Sequence, residues 1–160
     1  MAQNPDDVLG IWEKNKEKEK NITSYTESLK DVPKCFPALL RAQKVSKRAA
    51  KAGFDWDNVN DAMAKLDEEV LELKEAIASG NQDDKFEEFG DMLFAAANVS
   101  RFLETESELA LSSATDKFIR RFSAMEKLAE SMGERFDHLS LEKQEDLWQK
   151  VKLSETRSNE

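Results

Sequence analysis

The sequence predicts an all-α protein built as a helical bundle, and three observations carry that prediction. Between Asp57 and Ser79 the apolar residues Val59, Met63, Leu66, Val70, Leu73 and Ile77 alternate steps of four and three, the stripe of an amphipathic helix. Three prolines and five glycines in 160 residues leave few breaks in such helices. No segment alternates apolar with polar residues as a half-buried strand does, and β-branched residues are sparse.

Taken in order, Asn4, Pro5, Asp6 and Asp7 predict a helix start with a cap, an early proline and early acids, followed by a short helix carrying Val8, Ile11 and Trp12. The run EKNKEKEKN after it has charge but little apolar surface and reads as a solvated arm, and residues 22–36 read as irregular. Cys35 has no partner for a disulfide and no zinc-type spacing, which suits a semi-buried thiol beside Phe36. Pro37 opens a helix that Gly53 closes, with Arg41, Lys44 and Arg48 on one side and Lys47 and Lys51 further round. That basic side reads either as a solvated face or as a neighbour of an anionic ligand. Phe54 and Trp56 read as core aromatics at the entry to the next helix.

The helix from Asp57 ends at Gly80, which suits the left-handed position past a helix terminus, and Asp83 or Asp84 places negative charge where the next helix begins. The two helices form a tight antiparallel hairpin. Counting outward from its turn at about 1.5 Å per residue brings Glu72 level with Glu88 or Phe89, and Glu69 level with Asp91 or Met92. Each acidic pair is three residues apart and shares a helix face. Glu69 flanks the core stripe, whereas Glu68 and Glu75 point nearly opposite. The second helix is apolar almost all round from Met92 to Val99, so it should be buried on several sides, with Glu88 and Asp91 on a face shared with Ala95 and Phe102. Four carboxylates gathered there repel one another unless a cation compensates them, and all-oxygen ligation favours Mg²⁺, with Mn²⁺ as a substitute.

Thr105 and Glu108 have capping-box spacing and start a helix to Met132, which Gly133 ends. Ala114, Phe118, Phe122 and Met125 give it a core face, with Lys117 and Arg121 four apart beside that face and Arg120 turned away. A last helix from about Leu141 to Leu153 presents Leu147, Trp148 and Val151, with Lys152 alongside. From the residues alone, Lys117 and Arg121 read as salt-bridge partners or phosphate contacts, and Trp148 as core or a stacking platform. His138, the only histidine, sits in a polar loop, which argues against a di-iron bundle built on repeated Glu-x-x-His. No phosphate loop of the G-x-x-x-x-G-K type, no H-E-x-x-H and no nucleophile elbow occurs.

A net charge of −9 argues against a nucleic-acid-binding surface. No apolar run approaches the roughly 20 residues that span a bilayer, and the opening MAQNPDD is no signal peptide. These features lead to an expectation of a cytoplasmic protein without membrane partners.

The stretches PALLRAQKVSKRAAKAGFDW, LDEEVLELKEAI, KFEEFGDMLFAAANVSRFL, ATDKFIRRF and EDLWQKVK resemble the MazG nucleoside triphosphate pyrophosphohydrolases, in particular the C-terminal catalytic domain of the two-domain proteins. The family's E-x-x-E and E-x-x-D motif stands here as Glu69, Glu72, Glu88 and Asp91. The resemblance implies the all-α NTP pyrophosphohydrolase fold, a homodimer, and Mg²⁺ held by these four carboxylates, which are also the catalytic residues. The implied reaction cleaves a nucleoside triphosphate between its α and β phosphates, a nucleotide-pool housecleaning activity. Lys85, Lys117 and Arg121 are implied triphosphate contacts, and Trp148 and Lys152 the nucleotide-binding tail. Glu69 or Glu72 is the expected general base. Residues 1–32 are expected to form an N-terminal helix and arm, 33–153 the domain, and 154–160 a polar tail; residues 1–32 are too few for the upstream homologous domain of two-domain relatives, so the sequence reads either as a naturally short version or as a fragment of a longer protein. Two other readings are a dUTPase-like or phosphoribosyl-ATP pyrophosphatase-like enzyme, and a noncatalytic helical dimerisation module whose acids keep it soluble.

Overall fold

The computed structural model describes residues 24–157, and the expected helix around Val8, Ile11 and Trp12 lies outside them. Six α-helices and one 3-10 turn make up the described residues, with no strand among them. They are α1 (Tyr25–Lys30), α2 (Ala38–Lys51), α3 (Val59–Ser79), α4 (Gln82–Phe102), α5 (Ser107–Ser131), the turn Phe136–His138, and α6 (Leu141–Arg157). The chain divides into two compact units, the first ending at Glu108 and the second starting at Leu109. Among the described residues no helix is long and apolar enough to cross a membrane.

In the first unit α3 and α4 form the expected hairpin, α2 packs on α4, and α1 packs on α2. Asn58 caps α3, its side-chain oxygen accepting from the backbone N–H of Asn60 at 2.8 Å and of Asp61 at 3.3 Å. Gly80 ends α3 at φ 81°, a left-handed conformation that L side chains adopt at a cost. Asn81 then caps α4, accepting from Asp83 N at 3.0 Å, with Asp83 and Asp84 in the acidic first turn.

The buried line of α3 is not the stripe of large side chains. Ala62, Glu69 and Ala76 are buried, Leu66 and Leu73 half-buried, while Met63 and Ile77 are exposed. Small residues let α4 approach closely, so the contact seam centres on alanines and rotates the larger side chains outward. A matching correction applies to α4. Ala95, Ala97 and Val99 are buried, but Phe86, Phe89 and Leu93, spaced three and four apart, leave an open apolar stripe. The burial expected on several sides is absent within one chain.

Four further expectations are corrected. Residues 22–36 are not all irregular, because Ser24 caps the short helix α1 by accepting from Glu27 N at 3.1 Å. Cys35 is exposed rather than semi-buried. Phe54 and Trp56 are exposed rather than core and line one wall of a hollow with Phe94, Asn98 and Arg101. Thr105 and Glu108 form no capping box. The Thr105 hydroxyl donates to Leu103 O, and Glu108 accepts from Leu40 N at 3.4 Å, near the start of α2, where Pro37 has no side chain to cap with. Arg48 resolves the reading of the basic side of α2 in part, since it is tied to Asp31 at 3.5 Å and to the Ser28 carbonyl.

In the second unit the core gathers Met125 and Ala129 from α5 with Leu147 and Val151 from α6, flanked by Leu128, Phe136, Leu139 and Trp148. Met125 is buried as expected, but Ala114 and Phe118 are exposed and Phe122 stands at the margin, so within this unit the buried residues of α5 are Met125 and Ala129. α6 continues to Arg157, past the expected end at Leu153.

Candidate active site

The hairpin register brings carboxylates from both helices to one place. Oxygens of Glu69, Glu88 and Asp91 lie within 4.8 Å of one another. Glu69 is 7% exposed, Glu88 is half-buried and Asp91 is exposed, so the cluster opens to solvent through Asp91. Glu72 stands beside it, within hydrogen-bonding reach of Glu69, but outside the converging group of three. The four expected carboxylates are therefore gathered as three plus a neighbour.

Electrostatics reflect the crowding. Partial burial pushes the Glu88 carboxyl above the ordinary glutamate value, and the charges of Glu72, Glu69 and Asp91 push it in the same direction. Burial and the charge of Glu69 likewise raise Glu72, against the opposing pull of Lys65. Lys65 is a residue that the sequence reading missed. Its ammonium sits 2.8 Å from a Glu69 oxygen and 2.6 Å from a Glu68 oxygen, and these bonds hold its pKa above the usual lysine range. The signal available was the four-residue step from Lys65 to Glu69 on one helix face.

The donor set fits a hard divalent cation: three carboxylates converge from a short hairpin, with no softer ligand among them. Protons and a cation compete for the same oxygens. A carboxyl whose pKa is raised by folding favours the fold below its ordinary value, and that contribution is lost as pH rises through the raised value. For Glu72 and Glu88 the loss begins as pH rises above the ordinary 4.5. A bound cation offsets the charge that then appears. The rise in melting temperature caused by millimolar MgCl₂ should therefore be larger at pH 7.5 than at pH 5, and equal rises at both would show that Glu88 is not where the cation binds.

The remaining expected site residues divide by unit. Lys85 in α4 donates to the carbonyl of Gly80 at 3.2 Å, closing the hairpin turn. In the second unit Arg121 and Trp148 come together, the guanidinium carbon 5.6 Å from the centroid of the indole ring. Glu155 accepts from Arg121 Nε at 2.8 Å, and this bond lowers the Glu155 carboxyl below the usual range. Trp148 also packs against Phe118 at 5.4 Å between ring centroids. Lys117 on α5 and Lys152 on α6 are both exposed.

An all-α domain whose central hairpin converges three carboxylates on a hydrolase-type E-x-x-E and E-x-x-D pattern defines a narrow class. Residues 57–130, covering α3, α4 and most of α5, match the sequence model of the MazG nucleotide pyrophosphohydrolase domain. Residues 57–130 of the chain therefore carry a MazG nucleotide pyrophosphohydrolase domain. It is 39% identical over 158 residues to a nucleoside triphosphate pyrophosphohydrolase of Escherichia coli K12, covering 96% of this chain and 59% of that protein. Against a Thermotoga maritima protein named nucleoside triphosphate pyrophosphohydrolase/pyrophosphatase MazG, identity is 38% over 141 residues, covering 88% of this chain and 54% of the relative. A Bacillus subtilis protein, the uncharacterized YabN, is 44% identical over 158 residues, covering 98% of this chain and 32% of its own length. The chain thus spans little more than half the length of the first two relatives.

Proposed function

We propose that this protein hydrolyses nucleoside triphosphates between the α and β phosphates, releasing nucleoside monophosphate and pyrophosphate, with Mg²⁺ or Mn²⁺ held by Glu69, Glu88 and Asp91. The convergence of those three carboxylates in a MazG domain is the observation that carries the reading. When bound there, the cation supplies Lewis-acid polarisation of phosphate oxygens and offsets their charge.

The protein's own residues then divide the work. Glu69 is buried and engaged by Lys65, so its carboxylate is fixed as a ligand rather than available as a base. Glu72 lies outside the converging trio and has a raised pKa, which suits it to take the proton of the attacking water at its carboxylate. Lys85, Lys117, Arg121 and Lys152 are proposed triphosphate and tail contacts, with Trp148 stacking on the base. Glu155 and the Trp148 ring hold Arg121 in one orientation, which suits it for a bidentate phosphate contact.

The open stripe of Phe86, Phe89 and Leu93 supports a homodimer, since so much exposed apolar surface on one helix asks for a cover. Light scattering should give twice the chain mass, and a single-chain mass at micromolar concentration would refute the dimer. A nucleotide-pool role in the cytoplasm accords with a reaction that consumes free nucleotides.

The reaction itself is tested by coupling it to inorganic pyrophosphatase. Phosphate should appear from nucleoside triphosphate and Mg²⁺ only when the pyrophosphatase is added. Phosphate released without it, alongside nucleoside diphosphate, would place cleavage at the γ phosphate and overturn the proposal.

A further inference from the structure

Lys65 enters the mechanism above only through its hold on Glu69, the buried member of the cluster. Its ammonium bridges Glu68 at 2.6 Å and Glu69 at 2.8 Å. On a helix surface a lysine placed before its acid is the weaker order of an i,i+4 pair, so local helix stability is a poor explanation for this contact. Glu69 is the most buried of the carboxylates, and it stands within 4.8 Å of two others. A charge so placed needs a partner whenever no cation is bound. Glu68 offers the second half of the arrangement, being exposed and already bonded to Lys65. It keeps the ammonium satisfied if Glu69 is taken by another cation.

We infer that Lys65 is a built-in counter-cation of the carboxylate cluster: it holds Glu69 in position while the site is without a divalent ion, and it retreats onto Glu68 when one binds. Lys65 is in this sense a positioning residue that sets cation affinity. Cation binding becomes an exchange of partners at Glu69, and the resident ammonium weakens it. The inference rests on the metal reading proposed above, and it makes a prediction that a merely structural salt bridge does not. Losing a structural support would loosen the site and weaken cation binding, whereas losing a competing charge strengthens it. A single and a double positive charge roughly 6 Å apart in a water-like medium repel enough to change an affinity about tenfold.

The test is calorimetric titration of Mn²⁺ alone into wild type, Lys65→Met and Lys65→Arg, each checked for helix content. Lys65→Met should bind Mn²⁺ about tenfold more tightly, and its melting temperature without metal should fall while its rise on adding Mn²⁺ exceeds that of wild type. Lys65→Arg, which keeps the charge, should bind as wild type does. Lys65→Gln gives the same comparison should Lys65→Met fail to fold without metal. Unchanged or weaker Mn²⁺ binding in the uncharged variants, with wild type binding normally, would overturn the role of Lys65 alone. A wild type that binds no Mn²⁺ would overturn the metal centre and this inference with it.

Discussion

Asp91→Ala and Glu72→Gln are expected to lower turnover steeply by different routes. Asp91 is exposed, so its truncation leaves no buried group without a partner and the protein should keep its helix content and melting temperature within a few degrees. What it removes is one of three converging ligand oxygens. Cation affinity should fall, and kcat/KM at fixed Mg²⁺ should drop by about 10²-fold or more. Glu72→Gln leaves all three converging oxygens in place but removes a proton acceptor. Its Mn²⁺ affinity should stay near that of wild type while kcat falls by about 10²- to 10⁴-fold. The pair separates ligand from base: equal losses of Mn²⁺ binding in both variants would make Glu72 a ligand, and retained activity in either would remove that residue from the mechanism. Steady-state kinetics across a Mg²⁺ series, together with Mn²⁺ titration, reads both quantities.

The second large effect is on stability. Leu147 is 3% exposed and sits between α5 and α6 among Met125, Ala129 and Val151, with Phe136 and Leu139 beside them. Truncation to alanine removes apolar contact and leaves a cavity in the only core of this unit among the described residues, which costs about 2–5 kcal/mol. Urea denaturation should show that loss as a lower midpoint. The functional cost follows from the neighbour in sequence, because Trp148 is oriented by the same helix and holds Arg121 against Glu155. Under the proposed assignment KM for nucleotide should rise well before the protein unfolds globally. A midpoint within experimental error of wild type would show that the cluster is not the core of this unit.

Much of this was legible from residue spacing. The hairpin followed from an apolar stripe, a glycine at Gly80 and acids at Asp83 and Asp84, and those features set the register that brings Glu69 to Glu88 and Asp91. The end of the helix before Gly133, found at Ser131, and the Leu141 start were equally readable, as local caps and periodicity decide such ends. The misses have a common physical origin in contacts between residues far apart in sequence. Glu108 has the local pattern of a capping box, but a backbone N–H of α2 needs an acceptor and takes it instead. Hydrophobicity ranks Met63 and Ile77 above Ala62 and Ala76, whereas close approach of two helices ranks them the other way. α1 is six residues long, too short to show a period, and is betrayed only by its serine cap. Lys65 was overlooked because a lysine among acids looks like surface charge until one of those acids proves to be buried.

The most direct test of the whole account is an anomalous difference map from crystals grown with Mn²⁺ and an α,β-methylene nucleoside triphosphate. The account predicts manganese density between Glu69, Glu88 and Asp91, with the triphosphate reaching it. Density at another place in the chain, or nucleotide bound in full occupancy with no cation at these carboxylates, would contradict it.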